Sequence, residues 1–367
     1  MSMVERNARV AALMGAFFER ASREDHAPDG RWEDGLDELF STTVWGFRKI
    51  LLVIVVARML DGRYKASEAF YDCKPRALYE GPIRNELRER RIPHRRSGPL
   101  NVAKAAIGIN SQWAAQRSPK KVADVVVRFV EEIESMERCE LESFAVALHR
   151  RFLAESERVA EITAEVSPSS DPRFLHNLCS RLISEEPDGG NTPEHIMELA
   201  LRAYHEDLRT GVEVVGHGGR ASVSGIRGKS LGDVAERRAD GTIVHAYEVT
   251  VKVLGEDRVR DSYESVKAFD LKEGVKTAEI TILCRKEDSH PEVAAGLEEA
   301  GYLGKLAHRD LTYHFIEIHA WLLSQILRMT PAARLSFHEK LDEYVGDFNT
   351  SETVKRLWNE LHTPPSE

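Results

Sequence analysis

Two periodicities of apolar residues divide this chain of 367 residues. Up to about residue 166 the apolar positions recur with helical spacing, for example from Trp45 to Val55 and from Val122 to Val166. After residue 211 a period of two appears in Val212–Val215, Ser230–Val253 and Ala278–Cys284, which predicts strands. The pattern therefore predicts a helical first part and a second part that mixes helices with strands.

The segment 230–253, with the sequence SLGDVAERRADGTIVHAYEVTVKV, is predicted to form a β-hairpin. Two alternating runs flank Asp240-Gly241, a pair that favours a two-residue type I′ turn. With those two residues as the loop, the register places Asp233 directly opposite Glu248. Side chains at such positions lie about 5 Å apart, and two like charges there repel. A divalent cation held between the two carboxylates would turn that repulsion into binding.

The period of two also assigns faces to the second strand of the hairpin. Glu248, Thr250 and Lys252 are predicted to lie on the same face as Asp233. The opposite face, directed towards a core, is formed by Tyr247, Val249, Val251 and Val253. A strand with one solvated face would show the same alternation of charge and valine. That alternative leaves the facing pair of acids unexplained.

The hairpin lies within an ordered series of further elements. Thr192-Pro193 predicts a helix start, with threonine as the N-cap and proline at the first helical position, and the helix runs to about Arg209. Glu198 and Glu206 on this helix are expected to be solvated, and a contribution of either acid to a metal site is the alternative. A strand at 212–215 precedes the hairpin. The helix at 256–272 and the strand at 278–284 follow it, and such a crossover joins parallel neighbours in a mixed sheet.

The domain boundary is predicted at the breaker-rich segment Ser167–Pro172, or alternatively shortly before Gly189-Gly190. It separates a helical domain, residues 1–170, from a second domain, residues 171–367. Within the second domain, residues 291–361 are predicted to be helical apart from a short strand at 312–318.

Charge is distributed unevenly along the chain. Segment 74–121 holds twelve Lys and Arg residues against three Glu residues, whereas the whole chain has a net charge of −9. A predicted helix through Arg91, a turn with Arg95 and Arg96, and a second helix near Leu100 would present these cations to a polyanion. The candidate DNA contacts are Arg84, Arg88, Arg90, Arg91, Arg95, Arg96, Ser97, Asn101 and Lys104, with Lys229 as a further phosphate contact. A solvated basic face is the alternative.

The four cysteines are widely spaced and form no CxxC pair, which indicates a reducing compartment such as the cytoplasm. The longest apolar run, residues 50–57, is too short to cross a bilayer. The sequence therefore predicts a cytoplasmic protein without a membrane partner.

The hairpin resembles the core of the PD-(D/E)XK nuclease superfamily, in particular the type II restriction endonucleases. Asp233 matches the first motif position and Glu248 the second. Thr250 stands where the family has lysine, and Lys252 follows two residues later. The resemblance implies an α/β (α+β) fold with an αβββαβ mixed-sheet core after the N-terminal helical domain. It also implies that Asp233, Glu248 and the carbonyl of Val249 bind Mg²⁺, and that Lys252 acts beside the scissile phosphate.

The function expected from this resemblance is that of a Mg²⁺-dependent, sequence-specific endonuclease acting on double-stranded DNA. Cutting both strands of a symmetric site favours a homodimer, and such an enzyme would be paired with a cognate DNA methyltransferase. Two alternatives stay open. One is a repair or structure-specific nuclease on the same core. The other is a non-catalytic DNA-binding protein with a degenerate nuclease fold, which Thr250 at the lysine position favours.

Overall fold

The computed structural model describes residues 2–23, 30–94, 98–162, 166–216 and 231–363. The chain divides into two units. Unit 1 contains residues 1–162 together with Phe348–Ser351, and unit 2 contains residues 163–347 and 352–367. The first boundary falls shortly before the breaker-rich segment at Ser167, whereas nothing in the sequence pattern indicates the return of Phe348–Ser351 to unit 1.

The described part of unit 1 is helical. Its helices are α1 (Met3–Ala21), α2 (Gly30–Ser41), α3 (Gly46–Leu60), α4 (Ala66–Ala69), α5 (Pro75–Leu78), α6 (Arg84–Glu89), α7 (Ser111–Ala114), α8 (Lys120–Ser135) and α9 (Arg138–Ala160). A capping box at Ser2 and Glu5 starts α1, because each side chain accepts a hydrogen bond from the backbone of the other residue. Short 3₁₀ turns cover Phe70–Cys73 and Gly98–Ala103.

Helix α3 lies at the centre of unit 1. Residues 50–57 on it are all buried, which explains why the apolar run covers every face of the helix rather than one stripe. The same helix also buries Arg48 and Lys49. Arg48 forms an ion pair with Glu155 of α9 at 2.5 Å, and both side chains are 2% exposed. The core of unit 1 is thus apolar around a small charged cluster.

Unit 2 combines helices with a seven-stranded mixed sheet. Its helices are α10 (Pro172–Glu185), α11 (Asn191–Asp207), α12 (Glu256–Glu273), α13 (Ile318–Arg328), α14 (Pro331–Gly346) and α15 (Glu352–His362). Its strands are β1 (Val212–Val215), β2 (Val234–Arg238), β3 (Ile243–Thr250), β4 (Glu279–Cys284), β5 (Ala294–Leu297), β6 (Tyr302–His308) and β7 (Leu311–Glu317). The sheet order is β1-β2-β3-β4-β7-β6-β5.

The predicted order of helix, three strands, helix and strand is found in α11, β1, β2, β3, α12 and β4. β1, β2 and β3 are antiparallel, and β4 lies parallel to β3 after the crossover through α12. The mixed α/β class is therefore confirmed. Helix α11 begins at Asn191, so Thr192 and Pro193 lie in its first turn rather than capping it. The strand predicted at 312–318 is found as β7, and α13, α14 and α15 follow it as predicted. The prediction of helix between residue 291 and this strand is wrong, because β5 and β6 pair with each other there and β6 pairs with β7, both antiparallel.

Two apolar clusters cover the two faces of the sheet. Val234, Tyr247 and Val249 pack with the helices α10, α11, α13, α14 and α15. Ala246, Ile280 and Ile282 pack on the other face, together with Val259 and Val266 of α12. The hairpin β2–β3 is consequently held from both sides.

A pair of histidines joins α14 to α15 in unit 2. His338 is fully buried, and its Nδ1 accepts a hydrogen bond from the Ser169 N–H at 2.8 Å. Its proton is therefore on Nε2, which lies 2.9 Å from Nε2 of His362. His362 in turn donates from Nδ1 to the carbonyl of Trp358 at 2.8 Å. The chain of bonds is complete only while both rings are neutral.

This pair predicts a loss of stability at mildly acidic pH. Burial, followed by the neighbouring His362, lowers the pKa of His338 from 6.5 to about 4. Because the unfolded chain binds this proton at higher pH than the folded one, the free energy of unfolding falls as the pH drops from 6.5 towards 4, by about 1.4 kcal/mol per pH unit. Urea denaturation at several pH values measures the slope. The His338→Phe variant should show a smaller slope, and an equal slope in both proteins would contradict this assignment.

Candidate active site

The β2–β3 hairpin pairs in the register that the sequence predicts. Val234 lies opposite Tyr247, and Ala235 lies opposite Ala246. Asp233 directly precedes β2 and lies outside these pairs, and β3 continues past Tyr247 to Glu248. Both predicted acids are therefore found at the end of the hairpin that is remote from its turn.

The turn itself differs from the prediction. The N–H of Arg238 donates to the carbonyl of Thr242 at 2.9 Å, so the loop is Ala239–Gly241 rather than two residues. Gly241 has a φ of +89°, as a three-residue loop with a left-handed last position requires. The type I′ turn is therefore wrong. A register shift between Glu236 and Arg237 leaves one extra residue in β3, Val244, and restores the predicted pairing further along the strands.

Asp233 is bound to β3 by its backbone and by its side chain. Its N–H donates to the carbonyl of Tyr247 at 2.7 Å. Its Oδ2 accepts a hydrogen bond from the N–H of Val249 at 2.9 Å. Tyr247 and Val249 are the chain neighbours of Glu248, so the carboxylate of Asp233 lies beside the backbone of Glu248.

The Asp233 carboxylate is directed along the sheet instead of away from one face. Backbone N–H groups of a strand point towards the neighbouring strand, and Oδ2 occupies the acceptor position opposite Val249 where β2 has not yet begun. The predicted alternation of side chains between the two faces of the sheet therefore does not extend to Asp233. Gly232 permits this geometry, because its φ is +68° and a Cβ there would clash with the Tyr247 carbonyl oxygen.

The residues at this point fit Mg²⁺. The N–H and the C=O of one residue in an antiparallel pair point towards the same neighbouring strand. The Val249 carbonyl therefore points to the same side as the Val249 N–H, which donates to Asp233. Two carboxylates and one carbonyl are hard oxygen donors, and Mg²⁺ commonly uses one or two carboxylates with waters and substrate phosphates. No group of three or more His, Cys, Asp or Glu side chains suited to a metal is found within the described ranges.

Glu248 lies on the sheet face that α12 covers, and its side chain is half-buried. The hydroxyl of Ser262 on α12 donates to its Oε1 at 3.4 Å. Tyr313 of β7 is close by and donates to the carbonyl of Val259 at 3.3 Å. Burial raises the pKa of the Tyr313 hydroxyl, and the negative charge of Glu248 raises it further. Glu248 thus accepts a hydrogen bond from a hydroxyl of α12 and lies near a second hydroxyl, which bonds elsewhere.

Lys252 does not share the face of Glu248 through strand alternation, because β3 ends at Thr250. The chain bends there. The Thr250 hydroxyl donates to the Lys252 carbonyl at 2.7 Å and accepts from the Lys252 N–H at 3.2 Å. The Lys252 residue is exposed beyond this bend.

A cation from α12 reaches this position instead. Nη1 of Arg258 donates to the hydroxyl of Thr250 at 2.6 Å. The sequence pattern gives no signal for this contact, since it depends on how the chain turns between β3 and α12.

The two acids on α11 differ from each other. Glu198 is 5% exposed and forms an ion pair with Arg202 at 2.7 Å, so the expectation that it is solvated is wrong. Its Oε2 is buried without a hydrogen-bond partner in the described part of the chain. Glu206 has an exposed side chain and pairs with Lys340, as expected for a helix surface.

The basic segment of unit 1 has less regular structure than predicted. Helix α6 ends at Glu89, and the predicted second helix is only the 3₁₀ turn Gly98–Ala103. The predicted arrangement of two helices joined by a basic turn is therefore not found in the described residues of this segment. Arg91, just after α6, adopts a left-handed backbone with a φ of +55°.

Many cations of this segment are occupied by neighbours. Arg90 pairs with Glu86 at 2.7 Å and stacks over the ring of Phe18 at 4.5 Å, so it has a structural role, and its DNA contact stays a prediction. Other engaged cations are Arg76 with Glu80, Lys120 with Asp124, Lys121 with Glu38, and Arg117 with the carbonyl of Val102.

The remaining predicted contacts of the basic segment divide into three groups. Arg88, Arg91, Asn101 and Lys104 are exposed, and Arg84 is half-buried. The predictions for Arg95, Arg96, Ser97 and Lys229 fall on positions outside the described residues.

Within the described ranges, no helix has the length and apolar character needed to cross a membrane. All four cysteines are free thiols. No protein-family model and no curated protein sequence matches this chain.

Proposed function

We propose that this chain is a Mg²⁺-dependent endonuclease of double-stranded DNA with a core like that of the type II restriction endonucleases. The observation that supports it most directly is the Asp233 carboxylate, which is fixed to the Val249 N–H directly beside Glu248. The order α11-β1-β2-β3-α12-β4 around that point adds support, although a shared fold alone does not assign an activity.

The residues of the chain have distinct tasks in this proposal. Asp233, Glu248 and the carbonyl of Val249 hold Mg²⁺ at the end of the hairpin. When bound, the ion polarises the scissile phosphate and makes a water more acidic. Ser262 keeps the Glu248 carboxylate in place through its hydrogen bond. The bond between Val249 and Asp233 fixes the second carboxylate in the same way.

Incubation of supercoiled plasmid DNA with the protein in Mg²⁺ and in EDTA tests the proposal. Discrete fragments in Mg²⁺ alone are expected. A smear would instead support the repair or structure-specific nuclease, which cuts without a fixed sequence. Absence of cleavage with retained DNA binding would support the non-catalytic protein, the alternative that Thr250 at the lysine position favours.

Exposed cations of unit 1 supply the proposed DNA affinity. We expect simultaneous replacement of Arg88, Arg91 and Lys104 by alanine to weaken binding in Ca²⁺ and to reduce its salt dependence. Each phosphate that the protein no longer neutralises lowers the slope of log K against log salt concentration by about 0.9. Fluorescence anisotropy with a labelled duplex between 50 and 200 mM salt, a range of about fourfold, measures the slope.

Lys120 and Lys121 provide the matched control for that experiment. Both are exposed, and both are paired with acids. Their double alanine variant should keep the slope of the unmodified protein. An unchanged slope in the triple variant would remove these three residues from the proposed DNA surface.

The resemblance to type II restriction endonucleases implies two partners, a second copy of this chain and a DNA methyltransferase. Two copies of the chain would cut the two strands of a symmetric site as a homodimer, and a methyltransferase would protect the host DNA. A sedimentation experiment in the presence of a cleavable duplex distinguishes one copy from two on the DNA.

A further inference from the structure

Arg258 of α12 is held at the end of β3 by hydrogen bonds to the strand rather than by an ion pair with an acid. It lies in the first turn of α12, where the helix dipole disfavours a cation. Its Nη1 donates to the Thr250 hydroxyl at 2.6 Å and to the Lys252 carbonyl at 3.1 Å. No acid in the described part of the chain forms an ion pair with it, in contrast to Arg260, which pairs with Asp257 at 2.7 Å.

Thr250 is fully engaged in holding this arginine. A hydroxyl offers one donor and two acceptor positions. Thr250 donates to the Lys252 carbonyl and accepts from the Lys252 N–H and from Arg258. It is 3% exposed. All hydrogen-bonding positions of the Thr250 hydroxyl are therefore occupied, and none is left for a substrate. Thr250 acts as an anchor, a residue that holds Arg258 in position.

The position of the anchor matters because Thr250 follows Glu248 by two residues on β3. Side chains two residues apart in a strand lie on the same face, about 7 Å from each other. The anchored guanidinium is consequently on the Glu248 side of the sheet. The two N–H groups of Nη1 are used, while Nε and Nη2 have no hydrogen bond within the described ranges, which leaves three donors in a fork that matches phosphate oxygens.

We propose that Arg258, positioned by Thr250, is the cationic residue of the active site and contacts the scissile phosphodiester in place of Lys252. This inference rests on the proposed nuclease function. It also gives a physical reason for threonine at that motif position: the hydroxyl fixes a cation that comes from α12.

The chemistry limits what Arg258 does. In the hydrolysis an oxygen–phosphorus bond forms from water and the bond from phosphorus to the 3′ oxygen breaks. The proton of the water leaves to solvent and the departing 3′ oxygen takes a proton from solvent, because a guanidinium stays protonated throughout and neither accepts nor gives up a proton. Arg258 therefore binds the non-bridging phosphate oxygens and offsets the charge that develops on them in the transition state.

Single-turnover cleavage of a short duplex in Mg²⁺, combined with duplex affinity in Ca²⁺, tests the inference. The Arg258→Ala variant is expected to lose about 10²–10³-fold in the cleavage rate constant, with a change in affinity of at most about threefold. Millimolar guanidinium should restore part of the rate in Arg258→Ala and should not accelerate the unmodified enzyme. Arg258→Lys should retain more activity than Arg258→Ala, and Thr250→Val should lose activity with intact Arg258.

Arg260→Ala is the matched control, since Arg260 is on the same helix and pairs with Asp257; its rate should be that of the unmodified enzyme. Full activity of Arg258→Ala would overturn the inference. So would a loss in Lys252→Ala that Arg258→Ala does not show, or a loss in Arg258→Ala that guanidinium and lysine both fail to restore. An unmodified protein that does not cut any DNA overturns the nuclease proposal and this inference together, whereas normal cutting by Arg258→Ala overturns this inference alone.

Discussion

Replacement of Asp233 by asparagine or of Glu248 by glutamine is expected to lower the DNA cleavage rate in Mg²⁺ by about three orders of magnitude, comparable to the removal of a group that stabilises transition-state charge. Both changes remove a charge and keep the shape of the side chain. The asparagine oxygen can still accept from the Val249 N–H, and the glutamine oxygen can still accept from Ser262. The folded hairpin and the binding of DNA in Ca²⁺ should therefore persist.

Glu213→Gln is the control for these two variants. Glu213 lies on β1 of the same sheet and pairs with Arg237 at 2.7 Å, and its side chain is 64% exposed. The rate of this variant should equal that of the unmodified protein. If Asp233→Asn and Glu248→Gln also cut at the normal rate, the site would not be at the end of the hairpin.

Replacement of Glu155 by glutamine should strongly destabilise unit 1. Removing one partner of a buried ion pair leaves an uncompensated charge, and the typical cost is about 3–5 kcal/mol. In this variant Arg48 loses the carboxylate of its ion-pair partner. Lys49, fully buried on the same helix, loses the negative charge that offsets the cost of burying its ammonium group. Burial lowers the pKa of Lys49 to about 7, and Glu155 opposes that shift.

The shift of the urea unfolding midpoint, followed by circular dichroism, measures this loss. Glu157→Gln is the matched control, because Glu157 is on the same helix α9 and exposed. Equal midpoints for Glu155→Gln and Glu157→Gln would show that the buried pair contributes nothing to stability.

The part of the fold that is predictable from the sequence depends on neighbours in the chain. The register of β2 and β3 follows from their alternating residues and from the short distance to their turn, so the sequence is sufficient to pair Val234 with Tyr247 and Ala235 with Ala246. Two local departures from the predicted hairpin compensate each other, since the longer loop ending at Gly241 and the extra residue Val244 shift the register in opposite senses. The hydrophobic pattern selects the same register, because it places Tyr247 and Val249 inside, although Val253, predicted on the same face, is exposed.

The part that is not predictable depends on contacts between distant segments. β5 and β6 carry little alternation, and they become strands because β6 pairs with the edge of β7 and β5 pairs with β6. The prediction for Lys252 extends the period of two past Thr250, and no local signal marks the end of that strand. The role of Arg258 is hidden for a related reason, because the loop that brings α12 to Thr250 has no sequence signature. The burial of Glu198 is equally hidden, because helix periodicity does not tell which face a following sheet will cover.

The return of Phe348–Ser351 to unit 1 has a consequence for any attempt to dissect the protein. The chain passes between the units after residues 162, 347 and 351. A fragment ending at Ile162 would lack Asn349, whose side-chain oxygen receives the N–H of His94 at 2.9 Å, and the ring of Phe348 beside His94. After a single proteolytic nick near Ile162, Phe348–Ser351 would be on the second fragment, so unit 1 would be completed only by non-covalent contacts between the two fragments. A stop codon after Ile162 is therefore not enough to express unit 1 separately. The fragment would also need residues 348–351 joined to it.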